Sequence, residues 1–420
     1  MIHIHFFWRR TAQCCLAALL LVATAHAAAA TPGIAAGGQH ALALQADGSM
    51  WAWGDNGSGQ LGDGTTDYRP SPVRVLAPGS GAISIAAGKY YSLALQADGS
   101  VWAWGDNNWG QLGDGWSNGP DSGPEKVGLG SGAQDNRSSP LQVLASGSGV
   151  ISITAGQEFI FALKKDGSVW AWGYNSADQL GPLTPERHTG RPQFSSRSPF
   201  QLLSARSGMT SIVAGRDFAL ALQADGSIWG WGSNERGQLG DGPGRHQWPP
   251  VQVVQPQALD SHVIALAAGG WHALALQADG SVWAWGFNDS GQLGDGTAIN
   301  RSAPVRVLAP GSGAVAVAAA DNHSLVLTAD GSVWAWGIND GGQLGDGTAI
   351  NRSAPVRVLA PGSGAVAVAA AGNHSLALKA DGSVWTWGDH RKIMSGPATA
   401  AAKPVPTRMP GFSLSAGEKR

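Results

Sequence analysis

Four histidines recur at one position of a repeated sequence, where a ring of them could hold a metal ion or move protons. The histidines, each seven residues before an Asp-Gly pair, are His40, His272, His323 and His374. The same position in three other repeats holds Tyr91, Phe159 and Phe218. Because phenylalanine can neither ligate a metal nor transfer a proton, we interpret this position as a packing position at the start of a strand.

The acidic residues of the repeats carry no local catalytic or metal-binding motif. Aspartates of the Asp-Gly pairs are interpreted as turn formers. The run Asp55-Asn56-Gly57-Ser58-Gly59 lacks the alternating carboxylates and distal Glu of a calcium loop. There is no Gly-x-Ser-x-Gly, His-Glu-x-x-His or phosphate-binding loop. We therefore expect no metal, no cofactor and no catalytic residues, with a hydrolase or lyase built from scattered loop carboxylates as the alternative.

Residues 1–30 have the order of a secretory signal peptide. Arg9 and Arg10 precede an apolar run from Cys14 to Ala25, and small residues follow up to Ala30. This run is shorter than the roughly 20 residues that a membrane helix needs. We predict removal of residues 1–30 on export to the periplasm or the extracellular space, with no membrane span in what remains.

Composition excludes several function classes. Both cysteines, Cys14 and Cys15, lie in the predicted signal peptide, so the exported chain has no thiol for disulfides or nucleophilic chemistry. The 27 Lys and Arg residues against 29 Asp and Glu give a net charge of −2, which argues against nucleic-acid binding. With 61 Gly, 19 Trp and only 13% charged residues, the chain is typical of tight turns and buried aromatics.

One phrase, Asp-Gly followed by Trp-x-Trp-Gly, occurs seven times. The pairs are Asp47-Gly48, Asp98-Gly99, Asp166-Gly167, Asp225-Gly226, Asp279-Gly280, Asp330-Gly331 and Asp381-Gly382. Residues 291–320 recur without change at 342–371, so the unit is a tandem duplication.

Each unit predicts about four short antiparallel strands. Alternating leucines before Asp98-Gly99 and alternating tryptophans after it, Trp102 and Trp104, predict a hairpin with a two-residue type I′ turn. A strand at Ile83–Ala87 precedes it, and a strand such as Val305–Leu308 follows in each unit. Since such a small sheet cannot bury both faces alone, the units must stack. The sequence predicts an all-β fold, a seven-bladed β-propeller of four-stranded antiparallel blades, with all fourteen Trp-x-Trp tryptophans in the core.

The phrases Gly-x-x-His-x-Leu-Ala-Leu, Asp-Gly-Ser-Val-Trp-Ala-Trp-Gly and Gly-Gln-Leu-Gly resemble the repeat of the regulator of chromosome condensation family. The resemblance covers residues 31–417 and implies the same seven-bladed propeller. For eukaryotic members it implies nucleotide exchange on a small nuclear GTPase, a partner that an exported chain would not meet. A secreted relative inhibits an enzyme, so the resemblance also implies inhibition as a form of binding.

The last unit departs from this pattern. Residues Arg391–Gly396 replace the Gly-Gln-Leu-Gly phrase. The chain begins with half of a first strand at Ile34–Gly37 and ends with the start of another copy at Phe412–Gly417. We expect these two ends to compete for or share one blade.

Only one face of the predicted disk varies between repeats, and it is the expected binding face. Insertions lie at 116–138, 182–199 and 242–250. Aromatic and basic residues that the repeat does not require make up the candidate binding site: Trp109, Trp116, Trp248, Trp271, Arg187, Arg191 and Arg245. Such rings could instead cap their own loops.

These observations favour an exported monomeric scaffold that binds a protein or a glycan through this face, with inhibition as one form of that binding. A hydrolase or lyase, and a passive envelope or surface component, are the alternatives. The sequence does not identify the ligand.

Overall fold

The computed structural model describes residues 30–117, 136–183, 194–254, 262–389 and 403–414. Residues 1–29 of the predicted signal peptide lie outside these ranges. The described residues form seven four-stranded antiparallel sheets, which confirms the predicted β-propeller.

Each blade is one continuous stretch of chain. Blade 1 contains β1 Gly33–Ala36, β2 His40–Leu44, β3 Met50–Gly54 and β4 Arg69–Leu76. Blade 2 contains β5 Ala82–Ala87, β6 Tyr91–Gln96, β7 Val101–Gly105 and β8 Arg137–Leu144. Blade 3 contains β9 Val150–Ala155, β10 Phe159–Lys164, β11 Val169–Tyr174 and β12 Ser195–Leu203, followed by a short 3-10 helix, Ala205–Ser207. Blade 4 contains β13 Met209–Ala214, β14 Phe218–Gln223, β15 Ile228–Gly232 and β16 Gln247–Val254.

The last three blades repeat this plan. Blade 5 contains β17 Val263–Ala268, β18 His272–Gln277, β19 Val282–Gly286 and β20 Arg301–Leu308. Blade 6 contains β21 Ala314–Ala319, β22 His323–Thr328, β23 Val333–Gly337 and β24 Arg352–Leu359. Blade 7 contains β25 Ala365–Ala371, β26 His374–Lys379, β27 Ser383–Gly388 and β28 Lys403–Ser413. We call the side with the first-to-second and third-to-fourth strand connections the loop face, and the side with the Asp-Gly turns the turn face.

The Asp-Gly turns differ from the predicted two-residue type I′ turn. Gly99 has φ of 84° while Asp98 has no positive φ, and Gly99 N donates to Gln96 O at 2.9 Å. The connection is therefore longer than two residues, and its last residue is a glycine in the left-handed conformation. The Asp98 carboxylate accepts a hydrogen bond from Ser100 N at 2.8 Å, which lowers the pKa of Asp98 and fits its interpretation as a turn former.

The tryptophan pairs divide into two layers, so the prediction that all fourteen lie in the core was half right. The second tryptophan of each pair is fully buried, and Trp104 Nε1 donates to Gln60 O of the preceding blade at 2.9 Å. The first tryptophan is half-buried because it lies two residues nearer the Asp-Gly turn, at the edge of the blade. A cation covers four of these outer rings: Lys164 on Trp170, Arg306 on Trp283, Arg357 on Trp334 and Lys379 on Trp385.

The histidines join neighbouring blades. His40 Nε2 lies 2.9 Å from Ser92 Oγ, and this hydroxyl donates to Gln60 O at 2.7 Å, so the imidazole must be the donor to the serine. His272 and His323 make the same contact with the next blade. Desolvation lowers the pKa of His40, His272 and His323 to about 3. Neutral and enclosed, these side chains serve packing, as the sequence indicated.

The ends of the chain do not share a blade, contrary to expectation. Lys403–Ser413 completes blade 7 alone, so blades 1 and 7 share no strand; they meet through packed side chains and a hydrogen bond from Gln45 Nε2 to Ser413 O at 3.2 Å. Phe412 supplies much of this contact, with its ring centroid 5.5 Å from that of Trp51 and 5.9 Å from that of Trp53. The degenerate residues Arg391–Gly396 lie outside the described residues.

Candidate binding site at the channel mouth

The seven turns between first and second strands form a collar around the central channel on the loop face. The collar consists of residues 37–39, 88–90, 156–158, 215–217, 269–271, 320–322 and 371–373. Neighbouring turns are hydrogen-bonded: Lys89 N donates to Gln157 O at 3.1 Å, and Arg216 N donates to Gly270 O at 3.3 Å. The collar encloses a cavity of about 700 Å³ lined by residues from all seven blades, which we call the channel mouth.

The repeat dictates the start of each turn and leaves the rest free. A Cβ on Gly88 would lie 2.0 Å from the ring of Tyr91, so blade 2 requires a glycine there, whereas blades 6 and 7 have the small residues Ala320 and Ala371 at this position. The two residues that follow differ between blades. They are Gly38-Gln39, Lys89-Tyr90, Gln157-Glu158, Arg216-Asp217, Gly270-Trp271, Asp321-Asn322 and Gly372-Asn373. These variable pairs give the channel mouth its chemistry.

A stack of aromatic rings and guanidinium groups lies on blades 4 and 5. Arg216 Cζ is 4.7 Å from the centroid of Trp271, and Trp271 packs edge-on against Phe287 at 5.9 Å. Arg236 Cζ is 5.2 Å from the centroid of Phe287. Arg216 also pairs with Asp217, with Nε 3.6 Å from Oδ2. Since Arg216 is exposed and Trp271 half-buried, a ligand can reach both.

Four carboxyl groups around the channel mouth resist ionisation. Desolvation raises the pKa of Asp106, Glu158, Asp217 and Asp321, and nearby cations oppose the rise. The positive charge of Lys89 acts to lower the pKa of Asp106, Glu158 and Asp321. The charge of Arg216 acts to lower the pKa of Glu158, Asp217 and Asp321. The Asp106 carboxylate also accepts hydrogen bonds from Gln111 and Asn108, both at 2.7 Å. Perturbed carboxyls that adjoin a cavity are typical of functional sites.

Asp321 differs from the other three in its surroundings. Its side chain is open to the channel and lies deep inside the ring of blades. The same turn position on the two flanking blades is occupied by Gly270 and Gly372, which have no side chain. Gly270 is required there, because its Cβ would lie 2.7 Å from Asp321 O.

The residues predicted from sequence spread over three separate parts of the loop face. Trp271 lies in the collar. Trp109 is half-buried and packs on Tyr174, with ring centroids 4.5 Å apart. Trp116 is 53% exposed at the start of the first insertion.

Of the remaining predicted residues, Trp248 lies at the start of β16 and Arg245 lies in the loop before this strand. Trp248 is half-buried against Gly181 and the core between blades 3 and 4, and Arg245 is exposed nearby. Arg187 and Arg191 lie outside the described residues, as do 118–135 and 184–193 of the insertions.

Sequence reasoning missed Lys89, Arg216 and Asp321, which line the channel mouth. It also missed residues outside this lining, namely Glu158, Asp217, Arg236 and Phe287. One signal could have found the collar residues among them. Variation between repeats is concentrated directly after the Gly or Ala at the start of each collar turn.

The described residues contain neither a metal-ligand cluster nor a membrane-spanning helix. No group of three or more His, Cys, Asp or Glu side chains there has the arrangement of a metal site. Within the same ranges, no helix has the length and apolarity to cross a membrane.

Comparisons with known proteins agree on one family of repeats. The model of the RCC1-like domain matches residues 122–418, and models of the regulator of chromosome condensation (RCC1) repeat match 33–60, 47–95 and 82–111. The chain is 29% identical over 363 residues to the ultraviolet-B receptor UVR8 of Arabidopsis thaliana, covering 84% of this chain and 76% of the receptor.

Two further similarities extend over most of the chain. The mitochondrial RCC1 domain-containing protein RUG3 of Arabidopsis thaliana is 28% identical, covering 83% of this chain and 79% of RUG3. The crystal structure of Prp20p from Saccharomyces cerevisiae, a protein characterised for binding to Gsp1p and histones, superposes with a TM-score of 0.68 at 24% identity. It covers 86% of this chain and 85% of Prp20p, and at this identity it bears on the fold alone.

Proposed function

The chain belongs to the RCC1-like domain family, and on that premise we propose that it is exported and binds a protein partner through the channel mouth and the loops around it. RCC1-like propellers commonly bind proteins. Export rests on the signal-peptide pattern of residues 1–30. Export would separate the chain from a nuclear GTPase, which argues against nucleotide exchange on such a partner.

The observation that carries the proposal is the stack of Arg216, Trp271, Phe287 and Arg236. The repeat does not require it: blades 1 and 6 have Gln39 and Asn322 where blade 5 has Trp271. Trp and Arg are the residues that most often dominate binding energy at protein interfaces. Here Arg216 lines the channel mouth and stacks on Trp271, and both belong to a rigid scaffold that a partner can contact without reorganising the fold.

Affinity capture with matched variants tests this function. Residues 31–420 are immobilised and exposed to the envelope fraction and culture medium of the producing organism. We expect a protein that is retained by the wild type and lost from the Arg216→Ala/Trp271→Ala variant. The control is Arg306→Ala/Trp283→Ala, which removes a cation and a tryptophan of the same blade 5 near the turn face. Thermal unfolding verifies that each variant is folded.

Three results would contradict protein binding at this site. Equal retention by the Arg216→Ala/Trp271→Ala variant and by the control variant would place the partner's binding site elsewhere. Retention of a polysaccharide in place of a protein would assign the face to glycan binding. No retained material from either fraction would favour a passive surface component. If the retained protein is an enzyme, its activity in the complex shows whether binding inhibits it.

A second candidate is a hydrolase or lyase, favoured by the raised pKa values of Glu158 and Asp217, whose chain neighbours Gln157 and Arg216 line the cavity. A protonated carboxyl can donate a proton to a leaving group. Glu158→Gln and Asp217→Asn variants should then lose turnover of a polysaccharide or ester substrate while still binding it. Binding without turnover in the wild type would exclude this candidate.

A further inference from the structure

We infer that the channel mouth recognises a lysine or arginine side chain that a partner polypeptide inserts beside Asp321. This inference rests on the proposed function and deepens it, since it names the chemical group that the same site selects.

Acidic and basic side chains differ in number around the channel mouth. Its lining includes Asp321 and Asp389 together with the cations Lys89 and Arg216. Asp106, Glu158 and Asp217 surround this lining, because the charges of Lys89 or Arg216 act on each of them. Carboxyl groups therefore outnumber the two cations, and an inserted cation would be attracted to their ionised form and would favour it, which an anion would not.

The two built-in cations belong to one half of the collar. Lys89 lies on blade 2 and Arg216 on blade 4, with Gln157 between them on blade 3. On blades 5, 7 and 1 the same turn position is glycine, namely Gly270, Gly372 and Gly38. The open half of the channel mouth is therefore the half that contains Asp321, and it has room for a side chain from outside.

The walls of this half suit the stem of a long basic side chain. They include the small apolar residues Ala319, Ala320, Ala370 and Ala371, which line the cavity together with Asp321. Lysine and arginine combine an apolar stem with a charged head, so the stem can pack on alanine while the head pairs with Asp321. A bare metal ion would need several converging ligands, and the described residues contain no such group.

Labelled heptapeptides test the inference directly. Four probes share a Gly-Ser background and carry three arginines, three lysines, three citrullines or three glutamates, and fluorescence anisotropy at pH 7 gives each Kd. We expect the arginine and lysine peptides to bind at least about tenfold more tightly than the citrulline and glutamate peptides, because only they gain a charge-assisted pair. Raising the salt concentration should weaken binding.

Three variants locate the contact. Asp321→Asn should weaken the arginine peptide about fivefold to tenfold, since it removes the carboxylate charge and keeps the shape. Lys89→Gln should tighten it a few-fold, since it removes a competing cation. Asp330→Asn, on the turn face of the same blade 6, should bind as the wild type does. Thermal unfolding checks that all three fold.

Binding that ignores peptide charge, or an Asp321→Asn variant with wild-type affinity, would overturn the inference. The capture experiment keeps this failure separate from failure of the proposed function. If a protein is captured through Arg216 and Trp271 while Asp321→Asn has no effect on it, the function stands and the inference falls. If neither peptide nor protein binds, both fall.

Discussion

The guanidinium group of Arg216 lies over the indole ring of Trp271, although the two residues come from different blades and are separated by 55 positions in the chain. We expect a double-mutant cycle of Arg216→Ala and Trp271→Ala, measured by urea unfolding of the free protein, to give a coupling energy of about 0.5–1 kcal/mol. The physical reason is the attraction between the cation and the electron-rich ring face.

The pair Arg306 and Trp283 is the control for this cycle, because its cation lies 5.9 Å from the ring centroid instead of 4.7 Å. Its coupling should be smaller. Equal coupling in both cycles, or none for Arg216 and Trp271, would contradict a specific contact at the channel mouth.

The hydrogen bond between His40 and Ser92 should contribute measurably to stability. Ser92→Ala leaves the fully buried His40 Nε2 without its partner, at a cost of about 1–3 kcal/mol in the free energy of unfolding. Ser139→Ala, at an exposed serine in blade 2, should change this free energy by less than about 0.5 kcal/mol. If the two variants unfold at the same urea concentration, the contact between blades contributes nothing.

The same histidines should make the protein less stable as the pH falls from 7 to 5.5. Burial lowers the pKa of His323 to about 3 in the folded state, whereas the unfolded chain takes up a proton near pH 6.5. The unfolded state therefore binds more protons in this window, and each such histidine costs at most about 1.4 kcal/mol per pH unit. The raised pKa values of Asp106, Glu158, Asp217 and Asp321 act in the opposite direction.

A variant separates the histidine contribution from that of the carboxyls. His272→Phe uses the residue found at this position in blades 3 and 4, Phe159 and Phe218, and Gly269 precedes it as a glycine does in those blades. It removes one buried imidazole and leaves every carboxyl in place. The free energy of unfolding should then fall less steeply between pH 7 and pH 5.5 than in the wild type. Parallel slopes would show that His272, whose pKa burial lowers to about 3, does not titrate between folded and unfolded states.

Local patterns in the sequence were sufficient for the fold and for the packing role of the histidines. Alternation of apolar residues and repetition of Asp-Gly act over a few residues, so a single repeat contains the information. Trp51 and Trp53 show the limit of this reasoning. They lie on the same face of β3, yet only Trp53 is fully buried, because burial depends on how far the neighbouring blade extends.

The channel mouth could be predicted only in part, because it exists only after the ring has closed. Trp271 was identified as an aromatic residue that the repeat does not need. Its partner Arg216 was not, since no pattern in the chain brings adjacent turns together before the blades stack. Variation between repeats could mark Asp321 only as a variable turn residue, because its significance comes from Gly270 and Gly372 on the flanking blades.

The seam between blades 1 and 7 should be the weakest boundary of the ring, since the other neighbouring blades follow one another in the chain and are covalently joined, whereas blades 1 and 7 are not. Phe412→Ala removes a half-buried ring that contacts Trp51 and Trp53, and we expect a loss of about 2 kcal/mol in the free energy of unfolding. Phe194→Ala, which shortens an exposed phenylalanine of blade 3, should cost less than about 0.5 kcal/mol. Hydrogen exchange should accelerate first in β1 and β25, the inner strands that meet at the seam. Acceleration spread evenly over all seven blades would instead indicate that the ring opens as one cooperative unit, with no weak boundary.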